Sequence, residues 1–393
     1  MDALNLRAAA VHGRWAVASL FFVNGFVTGS WAPQIPVVLK RLGISEFMLG
    51  MLILMFGLGA LCAMAWCGYL LQRYGSRFVV ASFAWVASFG LLMVALAPTL
   101  VLVAFAMFFF GGVIGGMDVA MNANAVAVEK KLSRAIMSSS HGFWSLGGFA
   151  GGGLGGIFIQ TFGYVAHGAF VAIVALVIVA FAVRKLVGET PALVKSSRKF
   201  ALASNPLIYL IGLMALFSMV PEGSVLDWAA LYLQQERGTN LATAGFAFAA
   251  FSATMACMRF MGDGIRNRFG AVNTLRVSSL IAAAGMMVAG LSPWPWLAIF
   301  AFAFAGLGIA NMVPIAFSAA GNQKGMSSGV ALSTVTLMGY SGILVAPSAI
   351  GFIGQRTGFG PIFVAVAALL IVVFLMAGLA KAADFEHENL ENH

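Results

Sequence analysis

The sequence predicts an all-α membrane protein of twelve transmembrane helices, built as two six-helix bundles related by pseudo-symmetry. Three observations lead there. The chain is 61% hydrophobic and 9% charged over 393 residues, with a mean hydropathy of +0.96. A soluble domain carries about 25% charged residues and could not hide this much apolar surface from water. Glycine breaks and charge clusters divide the chain into twelve stretches near the about 20 residues that a helix needs to cross the hydrocarbon core. The chain also repeats itself at an offset of 195 residues: Arg73-Tyr74-Gly75 returns as Arg268-Phe269-Gly270, and Gly156, Gln160 and Gly163 return as Gly351, Gln355 and Gly358. Halves duplicated in this way mark a secondary transporter.

The spans are expected at 12–36, 46–71, 76–97, 99–128, 136–162, 164–187, 205–233, 240–266, 272–291, 295–319, 327–355 and 358–381. They group into a first bundle over 1–187, a linker over 188–204, a second bundle over 205–381 and an acidic, polar tail over 382–393. The first apolar run is too long for a cleavable signal peptide and lacks its small-residue cleavage site. The net charge of +9 invites a nucleic-acid reading, but its distribution argues otherwise. An even number of spans puts both termini on one side, and that side holds 17 of the 22 Lys and Arg residues. The other side holds Lys40, Arg41, Arg237 and Arg356, and Arg259 falls within a span. The positive-inside rule makes the terminus side cytoplasmic. Cys62, Cys67 and Cys257 fall in apolar helices at spacings that suit neither disulfides nor zinc, and read as packing residues. No metal cluster, phosphate loop or nucleophile–base pair is visible, so neither a cofactor nor an enzyme is expected.

The segment Gly68-Tyr69-Leu70-Leu71-Gln72-Arg73-Tyr74-Gly75-Ser76-Arg77 resembles the loop motif of the major facilitator superfamily, with Gln72, and Asn267 in the second copy, where that motif has an acid. Gly75 and Gly270 supply the backbone freedom of a tight turn. Arg73, Arg77 and Arg268 sit where anionic lipid and helix ends favour cations. Arg259 and Asp263 are four residues apart on one helix face and can pair. The expected role of all seven residues is structural or gating, with direct proton or substrate handling as the alternative for the Arg259/Asp263 pair. The glycines of span 5, Gly147, Gly151, Gly152, Gly155 and Gly156, give a small-residue face for close helix approach. They lack the Pro of the antiporter motif that resembles them.

Scaffold residues of a duplicated fold recur in both halves, whereas functional residues need not. Asp118 is matched by Val313, His141 by Thr336, Glu222 by Val27 and Asp227 by Ala32. An ionisable group inside a span is a functional candidate by default. Asp118 and Asn122 lie one turn apart and share a face. Asp118 and His141 can approach one another, either to carry a transported proton or to staple two helices. Pro221-Glu222-Gly223-Ser224 is expected to interrupt span 7, as broken helices do near transporter binding sites. Asp227, nearer the outer end, is open between a helix cap, contact with water and a functional role. The proton-coupling candidates are therefore Asp118, His141, Glu222 and Asp227. Candidate solute contacts are Asn24, Trp31, Asn122, Trp228, Asn311 and Tyr340, since amides and aromatic faces suit a polyhydroxylated ligand.

A closer resemblance is carried by Asp118-Val119-Ala120-Met121-Asn122-Ala123-Asn124-Ala125-Val126, by Ile136-Met137-Ser138-Ser139-Ser140-His141-Gly142 and by Glu222-Gly223-Ser224-Val225-Leu226-Asp227-Trp228-Ala229-Ala230-Leu231-Tyr232. These segments are similar to the YbjJ/MosC-like group of the major facilitator superfamily, over essentially all twelve spans. The resemblance implies a monomeric carrier of the bacterial inner membrane that moves a small polar solute. One member of the group is associated with an inositol-type amine, and sugar–proton symporters are more distant relatives. The expected partners are a small-molecule solute, protons and membrane lipid. Two alternatives stay open: a proton-driven drug or metabolite exporter, and a solute sensor that moves nothing.

Overall fold

A chain surrounded by hydrocarbon must satisfy every backbone N–H and C=O internally, and a helix does so within one segment. The computed structural model describes residues 3–132, 136–188, 205–323 and 328–383, and among these there is no strand. Most of the expected linker and the tail beyond Ala383 lie outside the described residues. The spans are α1 (Ala10–Leu42), α2 (46–74), α3 (76–96), α4 (Leu100–Leu132), α5 (Met137–Phe162), α6 (Tyr164–Ala182), α7 (Pro206–Arg237), α8 (Leu241–Phe269), α9 (Ala271–Leu291), α10 (Pro295–Gly321), α11 (Ser328–Thr357) and α12 (Gly360–Met376). Helices α2 and α3 run almost continuously, divided by Gly75 at φ 76° and ψ 160°. The twelve-helix architecture matches the expectation.

The duplication is visible in the backbone. Among the described residues, the glycines with positive φ form three pairs at the 195-residue offset: Gly43 and Gly238 (60° and 64°), Gly75 and Gly270 (76° and 77°), Gly163 and Gly358 (88° and 80°). A side chain is strained in this region, so both copies keep glycine. Helix starts repeat as well. Ser45 caps α2 by accepting from the Met48 N–H, and Asn240 caps α8 by accepting from the Thr243 N–H.

Helices α1–α6 pack among themselves, as do α7–α12, and the halves meet along α2 with α11 and along α5 with α8. These seams are built on glycine. A Cβ on Gly50 would strike the Pro347 carbonyl, and one on Gly245 would strike the Gly152 carbonyl. Gly156 lies likewise against the Leu241 carbonyl and Gly351 against that of Glu46. Both pairs of contacts map onto each other at the repeat offset. The α5 glycines divide between two neighbours: Gly147, Gly151 and Gly155 meet α1, whereas Gly148, Gly152 and Gly156 meet α8.

One expectation needs correction. Helix α7 is continuous through Pro221. The Ser224 hydroxyl donates to the Pro221 carbonyl at 2.8 Å, and proline removes one N–H without ending the helix. The breaks fall elsewhere. In α1 a turn after Gly29 leads into a 3₁₀ segment, Ala32–Gln34. In α10 a turn at Ala310 and Asn311 separates Pro295–Ile309 from Met312–Gly321, ahead of Pro314.

Candidate functional site

The broken helices and the glycine seams leave a cavity of about 510 Å³ between the halves. Its lining comes from α1, α2, α4 and α5 of the first half and α7, α8, α10 and α11 of the second. It runs from Trp31 and Asp227 to Met137, Arg266 and Phe317, extending toward the end that carries the chain termini. At the opposite end the halves touch. There Gln235 Nε2 donates to Glu46 Oε1 at 3.0 Å, and the Ala242 N–H donates to Gln160 Oε1 at 3.3 Å. The cavity walls are largely aliphatic and aromatic, with Phe56, Phe110, Trp144 and Tyr340 among them.

A polar chain crosses this apolar space. Arg259 on α8 pairs with Glu222 on α7, Nη2 to Oε2 at 3.4 Å. Arg259 Nη1 reaches into the other half and donates to Ser145 Oγ at 2.6 Å, and the guanidinium stands 5.7 Å from the centre of the Trp144 ring. Trp144 Nε1 donates to Asn24 Oδ1 at 2.9 Å. Asn24 Nδ2 donates to the Ile114 carbonyl at 3.1 Å. Helices α4, α1, α5, α8 and α7 are thereby joined by one run of contacts. The charge of Arg259 sits in low dielectric and is balanced by Glu222, as an intramembrane cation requires.

The remaining acids stand apart from this chain. Asp118 Oδ1 accepts from Asn122 Nδ2 at 3.3 Å, and Asn122 also donates to the Asp118 carbonyl at 2.9 Å. Tyr340 is within electrostatic reach of both Asp118 and Glu222, one acid from each half. Asp227 is buried and in hydrogen-bonding contact with Trp31, again across the halves. His141 lines the same cavity, with its ring edge-on to Phe21 at 5.1 Å. Its charged neighbour is Arg259. Among the described residues no hydrogen bond joins it to Asp118.

The cavity thus gathers Asn24, Trp31, Asp118, His141, Glu222, Asp227, Arg259, Asn311 and Tyr340 from the sequence candidates. It leaves out two. Trp228 is fully buried away from it, stacked on Phe359 at 5.1 Å, and Asn122 serves Asp118. The expected pairing of Arg259 with Asp263 rests on a side chain outside the described residues; among the described side chains Arg259 pairs with Glu222. Sequence reasoning missed Ser145, Trp144, Thr28 and Gly262. Ser145 stands between Trp144 and Leu146 with nothing in the sequence to mark it, and its role depends on a cation from the other half. Gly262 makes room for Asn311, whose amide occupies the place of a Cβ.

A ligand-sized cavity between two duplicated bundles, closed at one end and lined by intramembrane acids, defines a secondary transporter of the membrane. The chain belongs to the Major Facilitator Superfamily, whose family model matches residues 17–325 and 228–390. It is 36% identical over 358 residues to an uncharacterised transporter of that superfamily from Yersinia pestis, covering 90% of this chain and 92% of that protein. It is 32% identical over 363 residues to the membrane protein MosC of Rhizobium meliloti, covering 91% and 88%. The crystal structure of a D-xylose–proton symporter superimposes with a TM-score of 0.75 at 13% identity, covering 95% of this chain and 99% of that one.

Proposed function

We propose that the protein is a proton-coupled carrier that moves a small polar organic solute, a sugar, polyol or inositol-type compound, by alternating access. It would work as a monomer in the bacterial inner membrane, with both termini in the cytoplasm and the bundles 1–187 and 205–381 rocking about the cavity. The observation that carries this reading is that carboxylates from opposite halves, Asp118 and Glu222, line one cavity with Tyr340 in reach of both. A proton on Glu222 removes the charge that holds Arg259 and leaves Arg259 to Ser145 of the other half. Asp118, Tyr340 and the Asn311 amide offer acceptors and donors to solute hydroxyls, and the aromatic walls meet its C–H faces.

The test uses liposomes holding the purified protein and a pH-sensitive dye. Sugars, polyols and inositols are added outside one at a time, and proton entry is recorded. At least one solute is expected to drive proton entry, and D118N and E222Q are each expected to abolish it. Unchanged coupling in both variants across pH would refute the assignment. The predominantly apolar wall favours a second reading, a proton-driven exporter of amphipathic metabolites. Right-side-out and inverted vesicles separate the two by the direction of net solute movement.

A further inference from the structure

Helix α2 carries a second ordered face that does not line the cavity. Trp66, Tyr69 and Arg73 recur at helical spacing toward the terminus end, and Trp66 and Tyr69 are 58% and 54% exposed. Arg73 Nη1 donates to the Tyr69 hydroxyl at 3.0 Å, and its guanidinium lies 5.3 Å from the centre of the Tyr74 ring. Tyr74 packs on Phe78 at 5.5 Å, and both rings are exposed. The residue before this arginine is the neutral Gln72. Among the described residues no carboxylate pairs with Arg73. The acid on the same rim, Glu129, is engaged in accepting the Ile136 and Met137 N–H groups at 2.7 and 3.0 Å. Arg77 and Lys131 stand nearby around Gly188: Lys131 donates to its carbonyl at 2.8 Å, and Arg77 packs beside it. The α8–α9 turn repeats the pairing, with Arg268 5.4 Å from the centre of the exposed Phe269 ring.

We infer that the α2–α3 turn is a binding site for the headgroup of an anionic phospholipid. The phosphodiester meets Arg73, held in place by Tyr69. Trp66 and Tyr74 take up the interfacial level of the bilayer, where aromatic rings with a polar edge are favoured, and Phe78 packs against Tyr74. The inference is independent of the solute and of proton coupling.

The test is to titrate the full-length protein, purified in neutral detergent, with phosphatidylglycerol or phosphatidylcholine and count bound lipid by native mass spectrometry. Phosphatidylglycerol is expected to bind in preference, and R73Q to weaken it about fivefold, the effect of about 1 kcal/mol per basic residue at a membrane surface. K40Q, at the other end of the molecule, is expected to change nothing. Equal phosphatidylglycerol binding by R73Q would overturn the proposal. An equal loss in K40Q would reduce it to bulk charge, and displacement by soluble glycerol phosphate would make the site one for free phosphate. Should R73Q unfold early, Y74A removes the ring and keeps the charge; it is expected to weaken phosphatidylglycerol binding, and unchanged binding would count against the site.

Discussion

Arg259 shows how much of this protein depends on a single side chain. A guanidinium inside a span is tolerated because Glu222 supplies the counter-charge and Ser145 a further acceptor. With side chains 15% and 21% exposed, the pair is largely withdrawn from water, and removing one partner strands the other. R259M is therefore expected to lower stability by about 1–3 kcal/mol. The double variant R259M/E222Q, which leaves no uncompensated charge, is expected to recover part of that loss. Thermal unfolding in detergent, followed by tryptophan fluorescence, measures both. A double variant as unstable as the two single losses added together would mean that the residues do not act as a pair. Both residues were legible as intramembrane charges, but their partnership was not. Sequence displays neighbours four apart on one helix, such as Arg259 and Asp263, the latter with its side chain outside the described residues, whereas the α7–α8 and α5–α8 contacts arise only when the helices pack.

At the scale of the element, α5 is a helix with two glycine faces, and its neighbours sit at backbone distance on both. A Cβ at Gly151 would press on the Phe26 carbonyl and the Ser30 amide of α1, whereas one at Gly153 would meet Ala249 Cβ at 3.4 Å, an ordinary contact. G151A is thus expected to destabilise the protein by about 1–3 kcal/mol, the range for overpacking, and G153A to remain near the parent. Unfolding temperature and yield of monodisperse protein compare them, and equal behaviour of the two would sink the two-face account. The glycine run could be read as close packing from sequence alone. The state of α7 could not, because Pro221 removes one hydrogen bond whether a helix bends or breaks, and the outcome rests on neighbours. The breaks in α1 and α10, beside Pro33 and Pro314, follow from the same chemistry with the opposite result.

For the whole molecule, the repeat is the most legible feature, because positions that must be glycine in both halves survive divergence elsewhere. Its consequence is mechanical. The contacts Gly50–Pro347 and Gly245–Gly152, and Gly156–Leu241 and Gly351–Glu46, are images of each other across the halves, so one rotation can separate all four. Glu46 and Gln235 lie at this closed end, joined at 3.0 Å, and Thr28 lies in the cavity behind them. In a variant with Cys62, Cys67 and Cys257 replaced by Ser, a T28C thiol is expected to react with an impermeant maleimide from either side of the membrane, since the proposed alternating access would expose it to each side in turn. Linking E46C to Q235C with a short bifunctional thiol reagent should abolish labelling from that end and preserve it from the terminus end. Labelling that persists from the linked end would mean that the cavity is reached by a path other than separation of the halves.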